Sequence, residues 1–506
     1  MKLSQIAVCV AAVLLAAIEN HAVAEPTRER GDSVRSLQEV SVTAIKSASG
    51  TAVGQPVAVT VVGEKELSRL NIVTMKQVSD VAPNFYVPDY GSRMTSSIYV
   101  RGLGARIDQP VVGLNVDNVP VLNKDNYDFD LVDIERIEVM RGPQSTLYGR
   151  NTMGGVVNIR TLSPMNWQGF RFLVGYGSAN TARAAVSYYT RIRASLGMSW
   201  AADFSRTDGF FCNMYNGRKA DKERQGSVRW KTAWRAAPSV MLENVFSANV
   251  TRQGGYPYQS VASGEINYND TCFYRRTGLA DGVTLKWITD RFVLSGITSV
   301  QYLDDNMTLD QDFTPSDYFT LSQLRKEWAV TQDVVAKDAG GGRYGWLAGI
   351  FGFYKHTRMD APVLFKDYGI KSLIEENRNE ANPYYPIAWN DDRFLLGSHF
   401  VMPVWGLAVY HQSTLAMDRW TLTAGVRVDY ERASLDYHSR CGTSYTTWNC
   451  TGDIPVPQHQ VNVDIDDGGR LDKSFVEIMP KFSISNALPV SEPSPVYSDG
   501  AKGDKS

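Results

Sequence analysis

Ile134–Thr161, IERIEVMRGPQSTLYGRNTMGGVVNIRT, sets two apolar, strand-like runs on either side of a loop with four glycines and two arginines. Within it, Gly149-Arg150-Asn151-Thr152-Met153-Gly154 has the G-x-x-x-x-G spacing of a phosphate-binding loop. That chemistry needs Lys and then Ser or Thr next, to reach the phosphates and hold magnesium. Here Gly155 and Val156 follow. The continuation Val156-Val157-Asn158-Ile159-Arg160 reads as a short strand ending before Pro164, not as a helix presenting its N-terminus. Nucleotide binding is set aside, and the glycines need another reason.

Working outward, the 506-residue chain carries a net charge of −2, which leaves no broad basic face for nucleic acid. Ordinary hydrophobicity (43%) with 25 Tyr and 11 Trp fits an enzyme, a carbohydrate binder or a transmembrane β-barrel. Lys2, the apolar stretch Ile6–Ile18 and the small-x-small Ala22-Val23-Ala24 stand in the order of a secretory signal peptide over 1–24. Cys9 goes with it. The remaining Cys212, Cys272, Cys441 and Cys450 are an even set in an exported chain, so Cys441–Cys450 and Cys212–Cys272 are disulfide candidates.

Residues 25–36 read as a flexible leader. Leu37–Ala44, LQEVSVTA, is a β-prone run standing alone. From Val57 to about Ser163, short strands mix with helical spacing over Gly63–Val81, the pattern of a compact α+β domain. Beyond Trp167 the texture changes. In WTLTAGVRVDYER, Trp420, Leu422, Ala424, Val426, Val428 and Tyr430 share one face, while Thr421, Thr423, Gly425, Arg427 and Asp429 share the other. The same alternation runs through FRFLVGYGS and SVRWKTAWR. Apolar against polar, with aromatics at the ends of the apolar face, suits a strand between lipid and a wet lumen. A soluble β-sandwich or propeller also alternates. These strands are longer than the roughly five or six residues usual there, tight turns alternate with long polar loops, and no blade-length repeat appears.

With those features in place, Ile134–Thr161 resembles the plug-domain signature of TonB-dependent outer-membrane receptors. IYVRGLG (Ile98–Gly104) and VGLNVDNVPV (Val112–Val121) stand before it in the family's order. The signature residues are Arg101, Gly102, Arg141, Gly142, Pro143, Tyr148, Gly149, Arg150, Gly154, Gly155 and Asn158. Leu37–Ala44 is similar to the TonB box, with Glu39, Val40, Ser41, Val42, Thr43 and Ala44 as the segment that adds to a partner's sheet edge. The resemblance implies an α+β plug (45–163) followed by a transmembrane antiparallel β-barrel from 164 onward, in the cell outer membrane. It implies a TonB-type energy-transducing protein of the inner membrane as partner, and a ferric siderophore or other iron complex as ligand. The glycines then serve the backbone, in tight reversals and close passages, and Arg141, Arg150 and Arg160 meet barrel carboxylates.

By the same analogy, the ligand-binding candidates lie on the plug's apical loops: Phe85, Tyr86, Tyr90, Arg93, Asn126, Tyr127 and Phe129. Haem is disfavoured, since only His356, His399, His411, His438 and His459 lie outside the signal peptide and the family's FRAP and NPNL motifs are absent. No catalytic, metal or cofactor constellation emerges. Asp464–Gly469, DIDDGG, lacks the full calcium-loop register and reads as a turn between strands.

The family barrel has about 22 strands, and about twelve are counted here before 488. Residues 489–506 read as an irregular tail, so the expectation is a truncated receptor, with a frameshift near Asn486 as one route. A plugless porin or adhesin, and a secreted glycan-binding β protein, are the rival readings.

Overall fold

A computed structural model describes residues 57–94, 97–104, 110–340, 342–452, 454–487 and 495–501, the last for its backbone alone. The signal peptide, leader and TonB box expected from the sequence lie outside these residues.

The first described domain is built on five strands: β1 (Ala58–Gly63), β2 (Val112–Val116), β3 (Val119–Pro120), β4 (Ile134–Arg141) and β5 (Gly155–Thr161). They are ordered β1-β4-β5-β2-β3, antiparallel except for the parallel pair β2–β5. The continuous apolar runs of the opening stretch occupy the middle of this sheet. Ile137, Val139, Val157 and Ile159 are each at most 1% exposed and pack with Leu114, Val78 and Val100. Met140 and Val156 point into a second cluster with Val57 and Tyr148. Burial on both faces explains why β4 and β5 show runs rather than alternation. The helical spacing over Gly63–Val81 resolves into α1 (Glu64–Arg69) and a 3-10 turn (Lys76–Asp80). The two are separated where Asn71 turns to φ 52° and Thr74 bridges to Asp130.

A second sheet follows: β6 (Gly169–Gly177), β7 (Thr181–Arg193), β8 (Leu196–Thr207), β9 (Glu223–Ala237), β10 (Val240–Gly254), β11 (Phe273–Ile288), β12 (Phe292–Asp310), β13 (Phe319–Asp338), β14 (Tyr344–Asp360), β15 (Arg393–Met417), β16 (Trp420–Asn449), β17 (Val456–Ala487) and β18 (Pro495–Ala501). Each is hydrogen-bonded antiparallel to the next. Apart from the three-residue turn between β6 and β7, short turns close one end and longer loops the other, the arrangement of outer-membrane barrels. One face meets the first domain; the other is apolar and bare. On β9, Val228, Trp230 and Trp234 are 43–50% exposed, whereas Arg229 and Lys231 between them are buried. Trp420 and Tyr430 mark the two ends of the apolar face of β16. The described sheet has two edges, β6 and β18, not bonded to one another.

Three expectations fail. All four cysteines are free thiols. Cys441 sits inside β16 and Cys450 just past its end, and nine residues of extended strand separate them by roughly 30 Å, against the roughly 6 Å a disulfide spans. Cys272 is buried, its Sγ 3.1 Å from the Asp310 amide, while Cys212 is exposed on a hairpin paired with Lys219. Asp464–Gly469 is no turn: it runs through β17, where Gly469 leaves room for the ring of Tyr437 opposite. Pro495–Ala501, expected to be irregular, pairs with Lys481–Ala487. Backbone pairing needs no side-chain alternation.

Ile137→Ala removes a fully buried side chain from the middle of the first domain. A loss of about 2–5 kcal/mol is expected, read as earlier denaturant unfolding and faster proteolysis of that domain, with the barrel's heat-modifiable gel mobility unchanged.

Candidate functional site

The site is the contact between the first domain and the inner wall of the second sheet. It has two parts, the glycine loop of the opening stretch and the loops at the long-loop end.

After β4 the chain turns at Gly142-Pro143 into α2 (Ser145–Tyr148) and reverses at Gly149 (φ +76°). The loop is closed by Gly142 N–H to the Gly154 carbonyl (2.8 Å) and Gln144 N–H to that of Thr152 (3.0 Å). Gly154 N–H donates to the Val111 carbonyl at 2.8 Å. A Cβ at Gly149 would stand 2.5 Å from the guanidinium of Arg427 on the wall, and one at Gly155 only 2.2 Å from the Met140 carbonyl oxygen. Both glycines admit a close approach no side chain would allow. Arg150 pairs with Glu431 of the wall at 3.1 Å and lies over the ring of Phe353. Arg160 stands 3.8 Å from Asp117, which Lys231 of the wall also reaches at 3.5 Å. Arg141 donates to the Pro83 carbonyl and to Thr60 Oγ1. Asn158 sits between Asn115 and Tyr148. Arg101 and Gly102 form a left-handed turn, φ 52° and 80°.

At the other end, wall side chains hold two loops of the first domain. Arg276 of β11, 1% exposed, donates to the carbonyls of Arg93 (3.1 Å), Asp125 (2.6 Å) and Asp128 (2.6 Å). Arg325 of β13 pairs with Asp125 at 2.6 Å and with Asp305 of β12 at 2.5 Å. Gln253 of β10 accepts from Arg93 N–H and donates to the Gly91 carbonyl. Arg93 bridges Asp128, Asp130 and the wall's Glu223 at 2.8–3.3 Å.

The ligand candidates divide. Phe85 and Tyr127, 3% and 2% exposed, are core residues of the first domain and face no ligand. Aromatic type in an apical loop does not distinguish a contact residue from a loop's own hydrophobic anchor. Tyr86 is exposed, Tyr90 half-buried, and Arg93 is committed to its three carboxylates. Asn126 and Phe129 face sideways into a space of about 950 Å³, counted with its opening to solvent, between the domain and β9–β13. Sequence reading passed over Asp125, Arg276 and Arg325. The signal for the arginines was available, since each is a charge at an inward position of an alternating strand.

Burial alone would raise the carboxyl of Asp125, but Arg325 and Lys124 outweigh it and hold it below the ordinary carboxylate range. Asp117 is likewise pushed up by burial and brought down further by Lys231 and Arg160. Both contacts are therefore charged pairs at neutral pH.

A domain seated against the polar lumen face of long antiparallel strands defines the plug-and-barrel class of membrane protein. Residues 51–156 match the family model described as TonB-dependent Receptor Plug Domain, and with the strands that follow, the chain has the fold of a TonB-dependent receptor. It is 36% identical over 127 residues to the pesticin receptor of Yersinia enterocolitica, covering 25% of this chain and 19% of that protein. To the vitamin B12 transporter BtuB of Vibrio vulnificus it is 24% identical over 270 residues, 49% of this chain and 44% of that one. The crystal structure of the ferric yersiniabactin uptake receptor FyuA from Yersinia pestis superposes with a TM-score of 0.69 at 21% identity, over 86% of this chain and 62% of that one. The chain thus spans less than two thirds of the length of each. These relatives are named as receptors and a transporter, not as enzymes.

Arg325→Leu leaves Asp305 buried without its cation and Asp125 with Lys124 alone, at a cost of about 3–5 kcal/mol. Hydrogen exchange at 123–130 should quicken while the β4–β5 amides keep their protection. The pH dependence follows from the lowered carboxyls. Their contribution is complete above about pH 4, the value of a free aspartate, and is lost as pH falls through the lower folded value. Exchange at 123–130, corrected for intrinsic rates, should rise as pH falls below about 4.

Proposed function

We propose that this chain works at the cell outer membrane as a receptor that takes up a scarce small ligand, a ferric siderophore or comparable iron complex, with the plug as its gate. The observation that carries this reading is how the plug is held. Its apical loops are tied to the wall by the hydrogen bonds and ion pairs of Arg276, Arg325 and Gln253, and the apolar contacts are small beside them: Met94 on the cluster of Tyr256 and Tyr268, and Leu147 on that of Val335, Leu347 and Tyr410. Polar contacts re-form with water as they break, so a pull on the plug meets less resistance than an apolar interface would offer. Glu39–Ala44 would supply the pull by adding as a strand to a TonB-type partner. The likeness to the ferric yersiniabactin uptake receptor and to a siderophore receptor supports an iron complex as ligand, while the match to vitamin B12 transporters keeps a cobalamin as the second reading.

In lipid, an open sheet edge leaves backbone groups unsatisfied at several kcal/mol each. Transport by this fold therefore requires β6 and β18 to be joined through further strands, whether from a longer form of the chain or from another chain.

The test is uptake of radioiron carried by catecholate, hydroxamate and phenolate siderophores, alongside cyanocobalamin, in energised cells. Wild type is compared with a variant lacking 39–44. One iron complex should be taken up by the wild type, and the deletion should abolish uptake while cell-surface binding persists. Cobalamin uptake instead would replace the ligand class. Passive sugar flux indifferent to the deletion would favour a porin, and a protein recovered without detergent would favour the soluble glycan binder.

A further inference from the structure

Four arginines on neighbouring strands form one row on the outer face of the wall. Register sets Arg206 opposite Arg224, Arg224 opposite Arg252, and Arg252 opposite Arg275, across β8, β9, β10 and β11. Their direction is fixed by the residues beside them. Ser205 donates to the plug's Asp130, Glu223 pairs with the plug's Arg93, and Gln253 bonds Gly91 and Arg93. Gln225, Thr251, Tyr274 and Arg276 are at most 1% exposed. With their neighbours turned inward, the four arginines turn outward.

Arg224, Arg252 and Arg275 are exposed, and among the described residues none of the three has a carboxylate partner. Arg275 lies 4.5 Å over the ring of Phe273, and Arg206 donates to Asn180 Oδ1 at 3.2 Å. Beyond Arg275 the row ends at Asn306 and Leu324. Like charges directly opposite on adjacent strands repel. A run of them without an interposed acid needs an anion to offset that repulsion.

The height of the row indicates which anion. Taking about 3.4 Å per residue and a strand tilt near 40°, Arg224 stands about 26 Å above Trp234, which is the height of the apolar band of such barrels. Just below the row, Phe204, Val228 and Val250 are 43–50% exposed. We propose that this row seats the phosphate groups of a phosphorylated lipid in the leaflet at the long-loop end, with the acyl chains on the apolar band beneath. Guanidinium matches phosphate in a bidentate fashion, and a row of four on successive strands suits a headgroup with more than one phosphate. The proposal rests on the membrane reading of the wall but not on which ligand the plug admits.

The test is native mass spectrometry of the detergent-solubilised full chain titrated with diphosphoryl lipid A, phosphatidylcholine or inorganic phosphate. Wild type should retain lipid A and not phosphatidylcholine. R224Q/R252Q/R275Q should bind lipid A about a hundredfold more weakly, at about fivefold per arginine. The basic residues of the opposite rim provide a control, and R193Q/R235Q should bind as wild type does. Heat-modifiable mobility checks that each variant folds; should the glutamine variant fail that check, R224K/R252K/R275K, which keeps the charge and loses the fork, should bind measurably more weakly than wild type. Equal affinity of a folded triple variant, equal retention of phosphatidylcholine, or displacement of lipid A by an equal concentration of inorganic phosphate would each overturn the proposal. Absence of iron uptake in the wild type, with lipid retention intact, would count against the transport reading alone.

Discussion

The architecture turns on buried charge at the plug–wall contact. Arg276 and Arg325 are guanidinium groups taken out of water, and a buried charge is tolerated only with partners. Arg276 finds three carbonyls and Arg325 two carboxylates, and both draw on the same plug segment, 125–128. The plug is thereby placed against β10–β13 by groups with defined directions. The apolar contacts of Leu147 and Met94 with the wall would alone tolerate sliding; the directed contacts resist it.

The second constraint is the lipid. A wall with one face in hydrocarbon and the other in a wet lumen must alternate, and must keep every backbone amide in a ladder. Those demands set strand length, place Trp420 and Tyr430 at the limits of the apolar face of β16, and turn Arg427 inward onto Gly149. Outward and inward charge then have opposite meanings. Inward Arg276 and Arg325 meet plug oxygens and Arg427 meets Asp429 of its own strand, while outward Arg224, Arg252 and Arg275 at the long-loop rim meet no carboxylate among the described residues.

The misreadings share a cause. Phe85 and Tyr127 have the chemistry of ligand contacts, yet a small domain of about a hundred residues must bury such side chains to be stable at all. Cys441 and Cys450 are close in sequence, but an extended strand converts nearness in sequence into distance in space. DIDDGG carries turn composition, but long-range pairing with β16 outweighs a local preference. In each case tertiary context overrode a local signal.

What the sequence by itself determined was whatever depends on period and on backbone freedom. The continuous runs of β4 and β5, the alternation from Trp167 onward, and glycines at 149 and 155 where no Cβ fits are legible because each is a local steric or hydrophobic requirement written residue by residue. The tertiary structure alone decided partnership: which carboxylate Arg150 meets, that Asp125 and Arg325 find one another across some two hundred positions, and that four arginines far apart in the chain stand in one row. Pairings of that kind depend on strand register, and register is a property of the assembled sheet rather than of any segment within it.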